Sequence, residues 1–306
     1  MAFSASESAF EGFRIIRREP ATVAIWAVIL LVLSLGATAV MAPMLRGMMT
    51  TFTPGATPTV TQMAALGNIW RIYLVAIPLE LIALSVFSAA VYRTVLRPEE
   101  KGFARLRIGP DELRLMGLYL LLGLFFFGIF LVIGIVAGLL SVGVIAAAQS
   151  TGTGAIILIT AIIYLATLLV SAWMSVKFSF AAPMTFAQKR IRLFGSWNAT
   201  KGKFWPLLGC YLLALVFMII ILLVDLVVSG AVMFGMSGGS LNGLMSLFSP
   251  SAAASAMNVL SPVYVVRLVV GAAFGVVLWI VALAPAASAY RDIVAPKPKD
   301  QAETFA

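Results

Sequence analysis

Three ionisable side chains, Glu80, Asp225 and Arg267, stand inside long apolar runs where lipid is the expected surroundings. An ionised group at such depth costs roughly 2.5–3.5 kcal/mol on insertion scales, so residues of this kind face a bundle interior or a water path and often bind or move an ion. Glu80 lies in Ala76-Ile77-Pro78-Leu79-Glu80-Leu81-Ile82. It is about 20 Å along a helix from the charged boundary at Arg93. Pro78 can free carbonyl groups nearby for coordination. The competing role is a protonated carboxyl that hydrogen-bonds a neighbouring helix. Asp225 and Arg267 fall at matching depths in their two runs. They are expected either to tie adjacent helices together or to form a gate or substrate contact. Arg46 and Arg71 stand at outer boundaries, where long side chains snorkel towards water.

Other chemistry finds little to work with. The chain has no histidine and one cysteine, Cys210, so a disulfide within the chain and a cysteine/histidine metal site are both excluded. No phosphate loop, nucleophile elbow, metal-binding pair or dinucleotide fingerprint occurs, and the expectation is a non-enzymatic protein without cofactor or metal.

A second group of residues suits the membrane interface. Trp197, Phe204 and Trp205 are expected to anchor at headgroup level, and Lys201 and Lys203 flank a basic turn that suits lipid phosphate. Tyr92-Arg93 and Tyr290-Arg291 end two apolar runs in the same way, each with proline five residues after the arginine. The plainer role for all of these residues is to fix helix height in the bilayer.

The elements that must position these side chains follow from charge and hydropathy. The 306 residues are 62% hydrophobic and 11% charged, more apolar side chain than one soluble core could bury. A span needs about 20 apolar residues, and six are placed at 21–43, 69–92, 115–143, 155–177, 205–233 and 263–289. All of the 21 lysines and arginines except Arg46, Arg71 and Arg267 fall in four clusters, at 14–18, 93–114, 177–203 and 291–299. The positive-inside rule makes those segments cytoplasmic, with both termini inside. The formal net charge of +9 then reflects attraction to anionic inner-leaflet lipid, and nucleic acid is not an expected partner.

The fold class expected is therefore an all-α polytopic membrane protein, with six transmembrane helices and interfacial amphipathic helices. Residues 1–19 are expected to be a cytoplasmic amphipathic helix, with Glu7, Glu11, Arg14 and Arg18 opposite Ala5, Ala9, Phe13 and Ile16, lying flat on the membrane. Residues 20–295 form the six-helix domain and 296–306 a disordered cytoplasmic tail. Interfacial entries near 103–113 and 184–205, together with the Tyr-Arg exits, suggest three successive hairpin units. Gly134-x-x-x-Gly138 and Gly271-x-x-x-Gly275 are expected to permit close helix packing. Residues 46–68 read as a turn-rich linker, and 236–262 as a surface or re-entrant segment. Ala37-Thr38-Ala39 has the form of a signal cleavage site, but Glu7, Glu11 and Glu19 and the length of the run favour a retained span.

The stretch from Lys177 to Pro183, followed by Ser196-Trp197-Asn198-Ala199-Thr200-Lys201-Gly202-Lys203-Phe204-Trp205, resembles a segment of bacterial six-span membrane proteins. These are the group named after the membrane domain of glycerophosphoryl diester phosphodiesterase, and the related YciC-like inner-membrane proteins. The likeness covers roughly the central forty residues well and the rest only by topology. It implies a multi-pass protein of the bacterial inner membrane and brings no catalysis, since no soluble phosphodiesterase barrel fits in this chain. The expected function is that of an accessory or assembly component of the envelope that contacts membrane lipids and, in some settings, a membrane-protein partner. The alternative is a small transporter or permease using Glu80, Asp225 and Arg267.

Overall fold

Inside a bilayer no water is available to backbone amides, so long apolar runs close their hydrogen bonds within helices. In the computed structural model all six runs do so. The structure describes residues 3–51, 60–100, 102–151, 153–242 and 261–294, without the side chains of 43–51, 60–69, 71–72, 140–151, 153, 155–156 and 159. Short helices α1 (Ala5–Ala9) and α2 (Glu11–Arg18) precede α3 (Pro20–Thr51), α4 (Val60–Leu96), α5 (Pro110–Thr151) and α6 (Thr153–Phe178). Then α7 (Ala181–Gln188) and α8 (Gly195–Ala199) lead into α9 (Phe204–Met236) and α10 (Pro262–Ile293). A 3-10 turn at Phe103–Arg105 lies between α4 and α5, and the described residues contain no strand.

Six segments are long and apolar enough to cross a membrane: Pro20–Ala42, Tyr73–Leu96, Phe103–Leu139, Thr160–Gln188, Phe204–Met236 and Pro262–Ile293. The chain is an all-α, multi-pass membrane protein. Consecutive long helices pack on one another, α3 on α4, α5 on α6 and α9 on α10, and α10 also packs on α3 and α4.

The packed core sits at one end of this bundle, the end that carries most of the charge. Trp26 of α3, Phe87 of α4 and Trp279 of α10 meet edge to face, with ring centroids 6.4 and 5.6 Å apart. Val91, Leu115, Leu118, Phe186 and Ile280 join the same cluster. A second cluster joins Val176, Phe180, Met184, Leu207 and Tyr290. Beyond this end the long helices turn Leu, Ile, Val and Phe outwards, as α5 does with Leu124, Phe127, Leu131 and Leu139. Lipid tails are the solvent that such a surface requires.

The amino-terminal segment differs from the flat amphipathic helix expected of it. It breaks at Phe10, and α2 packs against α10, burying Glu11, Gly12 and Ile15. A Cβ on Gly12 would come within 2.8 Å of the Val281 Cα, so the close approach depends on that glycine. Helix also extends into the expected linker, through Thr51 and again from Val60, while 52–59 lie outside the described residues. The expected surface segment at 236–262 falls largely on residues outside the description, as does the expected tail. Gly134 and Gly138 make no close approach, since a Cβ on either would meet nothing within 4 Å. Gly275 does pack closely, since a Cβ there would come within 3.2 Å of the Leu30 side chain on α3.

Candidate functional site

The charged end is organised around the junction of α4 and α5. Six basic and four acidic residues lie between Arg93 and Arg114 in the sequence, and most of them pair with one another. Arg93, 2% exposed, is paired with the equally buried Glu112 and donates to the Arg105 carbonyl at 2.8 Å. Arg97 lies over the Phe186 ring, 4.7 Å from its centroid. It also reaches Glu100 at 3.3 Å, Asp111 at 3.4 Å and the Phe186 carbonyl at 3.0 Å. Arg105 bonds both carboxylate oxygens of Glu19, at 2.5 and 2.9 Å, which ties this junction to the start of α3.

The backbone here is held in a conformation that residues with a Cβ rarely adopt. Ala104 and Arg105 have φ of 47° and 57°. Such conformations persist where the surroundings over-determine them. Three bonds do that here: the Trp26 indole donates to the Ala104 carbonyl at 2.7 Å, Arg93 to the Arg105 carbonyl, and Arg105 to Glu19. A second polar group joins α1 and α2 to α10, with buried Glu11 3.2 Å from Arg14 and 3.9 Å from Arg291. Arg291 also donates to Ser288 at 3.2 Å.

This arrangement moves several residues away from the headgroup role expected of them. Arg93, Tyr92 and Tyr290 are all buried. Tyr92 faces Phe186, and Tyr290 meets Phe180 edge to face at 6.0 Å. A Tyr-Arg pair at the end of a span reads the same whether it meets lipid or a neighbouring helix, and here it meets helices. Arg291 stays partly exposed.

The segment 189–205 keeps its surface exposed. Lys189, Arg190, Arg192, Lys201 and Lys203 are exposed and form no ion pair among the described residues. The motif residues between them shape the turn. Ser196 donates to the Lys177 carbonyl at 2.7 Å and accepts from the Phe180 amide at 3.0 Å, clamping α8 to the end of α6. Trp197 stands edge-on to Trp173 at 5.0 Å, with the Lys177 ammonium 5.5 Å from its ring. Gly202 has φ of +75°, which closes the turn into α9. Phe204 and Trp205 meet edge to face at 5.4 Å, and Trp205 is 77% exposed. The two lysines therefore project from a rigid, aromatic-rimmed turn.

An apolar groove of about 370 Å³ runs between α3 and α4, lined by Ile29, Leu33, Leu79, Ile82 and Phe87 and closed at the charged end by Phe103, Arg107 and Ile108. Ile108 is almost fully exposed. Arg107 lies 3.8 Å from Glu100 and is more than half exposed.

Of the three intramembrane candidates, the structure brings two together. Asp225 of α9 and Arg267 of α10 line one cavity of about 700 Å³ at the opposite end of the bundle. Glu80 is exposed on α4 and is not among the residues lining that cavity. The side chains of Arg46 and Arg71 lie outside the described residues. Sequence reasoning missed the pairing of Arg93 with Glu112 and of Arg105 with Glu19. Its available signal was the mixture of both charges within one short loop. No group of His, Cys, Asp and Glu suited to a metal ion occurs among the described residues.

Together the six apolar helices and this charged end define an integral, multi-pass membrane protein. No protein-family model, no curated protein and no solved structure matches the chain.

Proposed function

We propose that this protein is a non-enzymatic accessory or assembly component of the bacterial inner membrane, and that its cytoplasmic face holds anionic phospholipid. The reading is carried by the contrast between the two basic clusters. Cations at 93–114 are largely consumed by Glu19, Glu100, Asp111 and Glu112, whereas Lys189, Arg190, Arg192, Lys201 and Lys203 stay exposed, the last two in the turn between Trp197 and Trp205. Unpaired cations at the end of a span, two of them on a turn flanked by aromatic residues, suit lipid phosphate. The groove ending at Arg107 offers a place for an acyl chain on the same side. The resemblance of the Ser196–Trp205 segment to bacterial inner-membrane proteins supports the same localisation.

Gentle extraction followed by mass spectrometry of the lipids retained tests this. Replacing Lys189, Lys201 and Lys203 with glutamine should lower retained phosphatidylglycerol severalfold, since each basic residue near an anionic surface contributes about 1 kcal/mol. Unchanged retention in a folded variant would overturn the headgroup reading.

The second reading, a small transporter or permease, draws on the cavity shared by Asp225 and Arg267. It requires Asp225→Asn to abolish flux in proteoliposomes while leaving the fold intact, whereas Glu80, which lies outside that cavity, gives it no support. Full flux in that variant would overturn the transport reading.

A further inference from the structure

The cavity between α9 and α10 is built like an amphiphile site. Counting 1.5 Å per residue, Asp225 stands about 31 Å from the α9 start at Phe204, and Arg267 about 36 Å from Arg291 at the far end of α10. The hydrocarbon of a bilayer is about 30 Å thick. Both charges therefore sit at the membrane boundary opposite the charged end. Asp225 accepts a hydrogen bond from Ser229 at 3.1 Å, one turn further out, and no ion pair with Arg267 occurs among the described residues. The apolar lining residues Ile219, Leu222 and Leu223 lie deeper than Asp225 along α9, towards the bilayer centre. Gly271, one turn deeper than Arg267, leaves space, since a Cβ there would meet nothing within 4 Å.

An acid and a base that share a cavity at the boundary, with an apolar floor leading inwards, match a molecule carrying both charges at one end and a hydrocarbon chain at the other. We propose that this cavity binds a zwitterionic phospholipid of the leaflet opposite the charged end, with the Arg267 guanidinium taking the phosphate, the Asp225 carboxylate taking the ammonium and acyl chain lying over Leu222 and Leu223. Charge complementarity selects this occupant. Phosphatidylglycerol offers Arg267 its phosphate but gives Asp225 no cation. A soluble zwitterion would leave the apolar floor uncovered. The site goes beyond the anionic-lipid reading of the charged end and stands on different residues.

The test is native mass spectrometry of the whole protein titrated with phosphatidylethanolamine and with phosphatidylglycerol of identical chains. The wild type should favour phosphatidylethanolamine by about tenfold, the worth of one charge-assisted hydrogen bond. Asp225→Asn should bring that ratio close to one. Arg267→Gln should weaken both lipids. Gly271→Leu, which fills the space while keeping both charged residues, should displace both. Lys201→Gln with Lys203→Gln should leave the ratio unchanged, so failure at the charged end is distinguishable from failure here.

An unaltered ratio in Asp225→Asn would overturn the proposal. So would displacement of the lipid by water-soluble phosphoethanolamine at equal concentration. If a single charge variant fails to fold, the exchange Asp225→Arg with Arg267→Asp decides. Recovery of fold and stability without recovery of lipid preference identifies a helix-tying pair and overturns the site, whereas recovery of the preference sustains it.

Discussion

Arg93 and Glu112 show what a charged pair does when it is taken out of water at a helix junction. Removing one partner leaves the other buried and uncompensated, at a cost of about 3–5 kcal/mol, while replacing both with apolar residues of similar size is often close to neutral. Arg93→Met or Glu112→Leu alone should therefore lower the unfolding midpoint in detergent sharply, and the double variant should recover most of the loss. A double variant as unstable as the worse single one would show that Arg93 acts chiefly through its bond to the Arg105 carbonyl. Gly202 makes a second residue-scale case. Its φ of +75° places a Cβ against the following carbonyl, so Gly202→Val should cost about 1–2 kcal/mol although the space around it is open. Comparative denaturation of the two proteins reads this directly. The sequence shows these residue types but not their partners: an arginine at a span end is equally suited to lipid phosphate and to a carboxylate returning from the next helix. That Asp225 and Arg267 come near one another was legible because their depths can be counted along two helices, although they line one cavity without an ion pair. Glu80 carries the same intramembrane signal, yet which face of its helix it occupies depends on packing that no local pattern records.

At the scale of elements, the helices that cross the bilayer are set by the length and continuity of the apolar runs, which is why all six were legible. The short elements were not. Periodicity in the first nineteen residues predicts an amphipathic helix but leaves its apolar face free to meet lipid or protein. In the structure it meets α10, because Gly12 lets the backbones approach and Glu11 finds Arg14 and Arg291. Gly12→Leu should force α2 away from Val281. Limited proteolysis should then cut the amino-terminal segment much faster than in the wild type, while the six spans stay intact. An unchanged cleavage rate would mean that α2 docks without that close approach. The Ser-Trp segment teaches the converse. Its motif residues were readable, but their work includes the turn: Ser196 clamps two helices, Trp197 packs on Trp173 and Gly202 closes the loop, so Lys201 and Lys203 are held by contacts the motif itself does not spell out.

For the whole molecule, the polar and the apolar halves divide the labour. One end is a packed and ion-paired platform, while the remainder is a set of long helices whose outward side chains require lipid. The positive-inside rule proposes a side for that platform: with the basic clusters of the sequence in the cytoplasm, the cavity of Asp225 and Arg267 would face the other leaflet. The anionic-lipid proposal for the charged end depends on this orientation. The decisive measurement is labelling with a membrane-impermeant thiol reagent, on a background in which the buried Cys210 is replaced by alanine. Asn198→Cys reports the exposed turn beside Lys201, and Leu241→Cys reports the opposite end, where Leu241 is 70% exposed. Position 241 should be labelled in intact spheroplasts, and position 198 only after the inner membrane is opened. Labelling of 198 in intact spheroplasts, with 241 protected, would contradict this orientation.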